Sequence, residues 1–190
     1  MKKKQINKPV DFINKILFWG MPITSLIVFI FNLITNANLQ FFSFIGPFFF
    51  AWLFLKGIDR IGVSNNYKPF ILLSFWAHLL GELYFYEGFA FLYYDKILHI
   101  LTPILITLIV YDYVKKSNIR YPQVVVFFMV LGGICSYEIF EYFLDLILGY
   151  DMLGVTSPEG IILMDAVNDT FIDLILGGIS SFVTLMFKRN

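Results

Sequence analysis

Residues 122–148 read PQVVVFFMVLGGICSYEIFEYFLDLIL, and this stretch decides the fold. From Pro122 to Tyr137 it carries no charge. The whole stretch exceeds the roughly 20 mostly apolar residues that a helix needs to cross a bilayer. Its second half carries Glu138, Glu141 and Asp145 at i, i+3 and i+7. That spacing gathers the three carboxylates on one helical face. The run is too long and too uniformly apolar for a barrel strand. A helix is then the structure that satisfies its backbone in lipid.

The rest of the chain reads the same way. Helices are expected at about 16–34, 39–56, 69–86, 95–113, 122–148 and 165–187. Connections are short, and no repeat or low-complexity tract interrupts them. The expectation is an all-α, polytopic transmembrane bundle of about six spans, forming one integral membrane domain over residues 1–190. Composition agrees. The chain is 58% hydrophobic and 15% charged, with 23 Phe and a mean hydropathy of +0.75. Soluble domains are roughly 45–50% apolar and about 25% charged. A single cysteine, Cys135, excludes an intrachain disulfide. The basic start at Lys2, Lys3 and Lys4 is followed by no small-residue cleavage site, so the first apolar run reads as a retained helix.

Charge sets the orientation. With the amino terminus in the cytoplasm, every one of the 14 Lys and Arg residues except Lys96 falls on the inner side. This is the positive-inside pattern, with both termini cytoplasmic and the protein in the cytoplasmic (inner) membrane. No basic face exists beyond these loops, which excludes a nucleic-acid partner. The acidic residues are biased the other way. Of the 14 Asp and Glu, only Asp11, Asp59 and Asp112 fall on the inner side.

The outer acids are phased. His78 and Glu82 are spaced i, i+4, as are Asp95 and His99; Asp165, Asp169 and Asp173 follow i, i+4, i+8. Each set lies on one helical face, at similar depth towards the outer leaflet. A charged carboxylate in the bilayer costs a few kcal/mol on insertion scales. Neighbouring like charges add repulsion. Protonation relieves this cost, and so does a bound divalent cation. Oxygen donors with one or two imidazoles suit zinc, manganese, iron, magnesium or calcium. Simpler roles compete at single positions. Asp95, Asp145 and Asp165 also read as interfacial or helix-capping residues. His78 alone reads as a hydrogen-bonded interior histidine. Tyr93 and Tyr142 fit an interfacial aromatic belt.

Three segments carry a family resemblance. Tyr94-Asp95-Lys96-Ile97-Leu98-His99 resembles the Tyr-Asp-x-x-x-His of the YjdF-like bacterial inner-membrane proteins. Tyr137-Glu138-Ile139-Phe140-Glu141-Tyr142 resembles their Tyr-Glu-x-x-Glu-Trp. Asp165-Ala166-Val167-Asn168-Asp169 resembles their Asp-Thr-Gln-x-Asp. A weaker fourth segment begins at His78. The chain departs from the pattern at Leu83, where a second histidine is frequent, and at Val167, where the family has glutamine. It also lacks tryptophan before Asp165 and after Glu141. The resemblance covers about residues 70–180. It implies a helical membrane fold and singles out Asp95, His99, Glu138, Glu141, Asp165 and Asp169, without supplying an activity. A weaker similarity to the VanZ-like family implies a role in glycopeptide resistance at the cell envelope.

The leading expectation is a metal-dependent enzyme acting on a membrane lipid or lipid-linked head group in the outer leaflet. Glu138 or Glu141 would be the general base and His99 the acid or a ligand. The expected metal ligands are Asp95, His99, Glu138, Glu141, Asp165 and Asp169, with Asp173, Asp145, His78 and Glu82 around them. Two alternatives stand beside it. One is a non-catalytic envelope factor that binds a cationic ligand. The other is a cation- or proton-coupled transporter, which polar residues on the inner halves would favour.

Overall fold

The computed structural model describes residues 8–35, 51–53, 55–57, 60, 65–84, 89–148, 153, 155–156 and 160–188. Five long helices lie within these residues. They are α1 (Lys8–Thr35), α2 (Lys68–Tyr84), α3 (Phe89–Val114), α4 (Pro122–Leu148) and α5 (Ala166–Lys188). Residues 51–53 and 55–57 are helical as well, while the rest of the expected span at 39–56 lies outside the described residues. The chain divides into two compact units, Met1–Glu82 and Leu83–Asn190.

In the first unit, α1 begins at Lys8, well before the apolar run at Ile16. The extension mixes charged and apolar residues, and Lys15 pairs with Asp11 at 3.1 Å across one exposed turn. Such a pair adds only about 0.3–0.5 kcal/mol to the helix. Met21, Ala51 and Leu72 form the core of the unit. Trp76 packs its ring over Gly20, where a Cβ would come within 2.8 Å of Cζ2. The Trp76 Nε1–H donates to the Leu17 carbonyl oxygen at 2.8 Å, so the half-buried ring packs without stranding its polar atom.

In the second unit, α3, α4 and α5 each pack on the other two. Three helical segments are long and apolar enough to cross a membrane: Tyr93–Ser117, Pro122–Ile147 and Ala166–Lys188. Their outward faces carry large apolar side chains, including Leu101, Phe128, Phe171 and Phe182. Lipid solvates such residues at no cost. One end of the trio is closed by Tyr111, Val114, Val126, Val130, Ile134 and Leu185. Above this cluster the helices cross closely at Gly177. A Cβ there would lie 2.5 Å from Ile134 Cδ1 and 3.3 Å from Pro103 Cγ, so only glycine lets α3, α4 and α5 meet at this depth. Next to the crossing, Thr107 Oγ1 donates to Ser181 Oγ at 2.9 Å, and both residues are fully buried.

Two features depart from the expectation. α3 starts at Phe89 rather than Asp95. The aromatic run Phe89-Ala90-Phe91-Leu92-Tyr93-Tyr94 extends the helix, so Asp95 sits inside it and not at its end. Between α4 and α5, Val155–Thr156 pairs antiparallel with Ile162–Met164. The all-α expectation omitted this hairpin. Its β-branched residues flank Gly160, whose φ of +79° falls in the left-handed region that glycine tolerates.

Candidate functional site

The second unit brings Asp95, His99, Glu138, Asp169 and Asp173 together. Asp95 and His99 share a face of α3, one turn apart. Glu138 comes from α4, and Asp169 and Asp173 come from one face of α5. All but Asp95 are buried. Glu141 is buried too, one turn beyond Glu138 on α4.

The centre of the group is a cation. Lys96 Nζ donates to Asp95 Oδ2 at 3.0 Å, Asp169 Oδ1 at 2.5 Å and Asp173 Oδ2 at 2.6 Å. An ammonium has three N–H donors, and all three are engaged. Sequence reasoning placed Lys96 outside the site, as a lone basic residue on the acidic side. Its solitude was the available signal: one basic residue among many buried acids is drawn to them.

His99 stands beside this ion cluster. Its Nε2 lies 3.5 Å from Asp95 Oδ1. Its Nδ1 lies 3.7 Å from Glu138 Oε1 and 3.7 Å from Asp173 Oδ1. The two 3.7 Å separations exceed a hydrogen bond, while the 3.5 Å contact to Asp95 lies at its outer limit. Both oxygens of Glu138 and Oδ1 of Asp173 are buried and accept no hydrogen bond among the described residues. Glu138 is 4% exposed and Asp173 2%. Pro103 lies one turn after His99 and has no N–H to donate to the His99 carbonyl. Asp95, His99 and Asp173 each offer a donor atom within 4.8 Å of the others, and such a group could hold a metal ion.

The remaining expected residues lie elsewhere. Asp165 is exposed and caps α5. Its Oδ1 accepts from the Asn168 backbone N–H at 3.1 Å and its Oδ2 from the Asn168 side chain at 2.5 Å. These bonds hold its carboxyl below the usual carboxylate range. Asp145 accepts from the Leu153 backbone N–H at 2.9 Å, tying the following loop to the last turn of α4. His78 is half-buried on α2 in the first unit. Glu82 lies on the same helix, with its side chain outside the described residues.

No curated protein and no solved structure matches the chain. The weaker likeness to VanZ-like proteins finds no match either. A family profile described as "Predicted membrane protein (DUF2238)" matches residues 17–189, and the chain belongs to that family, which is the YjdF-like group its motifs resemble.

Proposed function

We propose that this membrane protein binds one divalent metal ion at His99 and Asp173, with Glu138 as the neighbouring buried carboxylate that would close on the ion, and acts on lipid or lipid-linked head groups as a metal-dependent enzyme. One observation carries the reading. His99 Nδ1 faces two buried, unpartnered carboxylate oxygens at 3.7 Å each. Ligand atoms about 2.1 Å from a zinc-sized ion, spread at tetrahedral to trigonal angles, stand roughly 3.4–3.6 Å apart. A charge-assisted hydrogen bond would instead close to about 2.7–2.9 Å. Asp95, against Nε2, orients the ring as the carboxylate behind a metal-bound histidine. A bound ion would supply Lewis acidity there, for polarising a phosphoryl or acyl oxygen and for activating water. Glu141, buried one turn from Glu138, serves as the general base.

The closed end of the three-helix group supports an enzyme over a transporter. Ile134 and Pro103 meet at Gly177, and an apolar cluster lies beyond them. Among the described residues the nearby hydroxyls are occupied: Ser180 Oγ donates to the Gly177 carbonyl, Thr184 Oγ1 to the Ser180 carbonyl, and Thr107 Oγ1 to Ser181 Oγ. The lysine and arginine bias supports about six spans in the bacterial cytoplasmic membrane, both termini inside and the acidic site towards the outer leaflet.

Purified protein in phospholipid vesicles is expected to release head groups, read by mass spectrometry. A chelator should stop release, and added Mn²⁺ or Zn²⁺ should restore it. Glu141→Gln should retain the metal and lose turnover by about 100-fold or more, the scale of a general base. Release that is indifferent to the chelator, or a Glu141→Gln protein as active as wild type, would refute the enzyme.

A further inference from the structure

We propose that Lys96 stands in for a second metal ion, so that the site takes one divalent ion where its carboxylates alone would take two. The inference rests on the metal reading above and extends it to stoichiometry and selectivity.

Asp173 faces two ways. Its Oδ2 is 2.6 Å from Lys96 Nζ, while its Oδ1 is 3.7 Å from His99 Nδ1 and accepts no hydrogen bond. A carboxylate placed between two neighbouring cations resembles the bridging arrangement of two-metal sites, whose ions sit about 3.5–4 Å apart. Here one cation position is filled by the chain itself. Asp95 Oδ2, Asp169 Oδ1 and Asp173 Oδ2 converge on the Lys96 ammonium at 3.0, 2.5 and 2.6 Å. The other position has His99 Nδ1, Asp173 Oδ1 and Glu138, whose two oxygens are buried without partners.

The two positions differ in chemistry. The His99 side mixes nitrogen with oxygen and suits zinc or manganese. The Lys96 side is all oxygen, which suits calcium, magnesium or manganese. Lys96 therefore bars hard cations from the second position. It also sets one positive charge among three carboxylates and so reduces their mutual repulsion in a low-dielectric interior. Because all three of its N–H groups are engaged, it does not serve as an anion-binding group for substrate.

The test is Mn²⁺ titration of full-length protein in detergent, read by calorimetry and electron paramagnetic resonance. Wild type should bind one Mn²⁺ per chain. Lys96→Met should bind two, with the exchange-coupled spectrum of neighbouring ions, and Ca²⁺ should compete for the second. Lys96→Arg should stay at one, since a guanidinium still fills the position. A Lys96→Met protein that binds one Mn²⁺, or a wild type that binds two, would overturn the role of Lys96 while leaving the His99 site standing. No binding by any of the three proteins would overturn the metal reading itself, and this proposal with it. Should Lys96→Met not fold, anomalous scattering from Mn²⁺-loaded wild-type crystals decides. One peak beside His99, with the Lys96 ammonium on Asp169 and Asp173, is expected. A peak on the Asp95–Asp169 side with Lys96 displaced would overturn the proposal.

Discussion

Asp173→Asn is expected to lower unfolding free energy in detergent by about 1.5–3 kcal/mol and to weaken Mn²⁺ binding by on the order of 100-fold or more. Asparagine matches aspartate in shape, so no cavity forms and the effect is electrostatic. Asp173 is 2% exposed, and its Oδ2 receives the Lys96 ammonium at 2.6 Å. Removing its charge leaves Lys96 with Asp95 and Asp169 as its remaining partners. Lys96 keeps two carboxylates, so the loss is that of one charge-assisted hydrogen bond to a buried ammonium. The second oxygen of Asp173 is the one aimed at His99 Nδ1, so under the proposed metal binding the same substitution also removes a ligand. Thermal unfolding in micelles and Mn²⁺ titration read the two losses separately. Asp165→Asn is the control: Asp165 is exposed and caps α5, so metal binding should not change.

Glu138→Gln should separate the two properties. Metal affinity is expected to fall by on the order of 100-fold or more, yet the metal-free protein should be as stable as wild type or more so. Both carboxylate oxygens of Glu138 are buried without a hydrogen-bond partner. Keeping a charge in such a place opposes folding, and a neutral amide relieves part of that cost. A group held against its own stability is characteristic of functional sites. If Glu138→Gln lost as much stability as Asp173→Asn while metal binding was unaffected, Glu138 would be a structural residue and the ligand set proposed here would be wrong.

Much of this was legible in the sequence. The apolar run 122–148 and its phased acids put Glu138 and Glu141 on one face of α4, and both are buried there. The i, i+4 spacing of Asp95 and His99, and of Asp169 and Asp173, likewise placed each pair correctly on its helix. Phase works here because a helix converts spacing into direction without help from tertiary packing. What phase does not convey is which of several acids meets which partner across helices. Lys96 lies next to Asp95 in sequence and stood only as the one basic residue on the acidic side, because no spacing rule links it to residues on α5. Only the close crossing at Gly177 brings α3 and α5 near enough for Lys96 to reach Asp169 and Asp173. Asp165 shows the converse. It shares a face with Asp169 and Asp173 by spacing, but at the helix start the backbone N–H groups claim its carboxylate. The start of α3 was placed too late because a charge looked like a boundary, whereas six uncharged residues before it extend the helix.

The most direct measurement is X-ray absorption on wild-type protein loaded with Zn²⁺ and freed of excess ion. The site described here predicts a retained ion with one imidazole nitrogen and carboxylate oxygens at about 2.0–2.2 Å. An ion lost on desalting, or a first shell of oxygen alone with no imidazole, would contradict it.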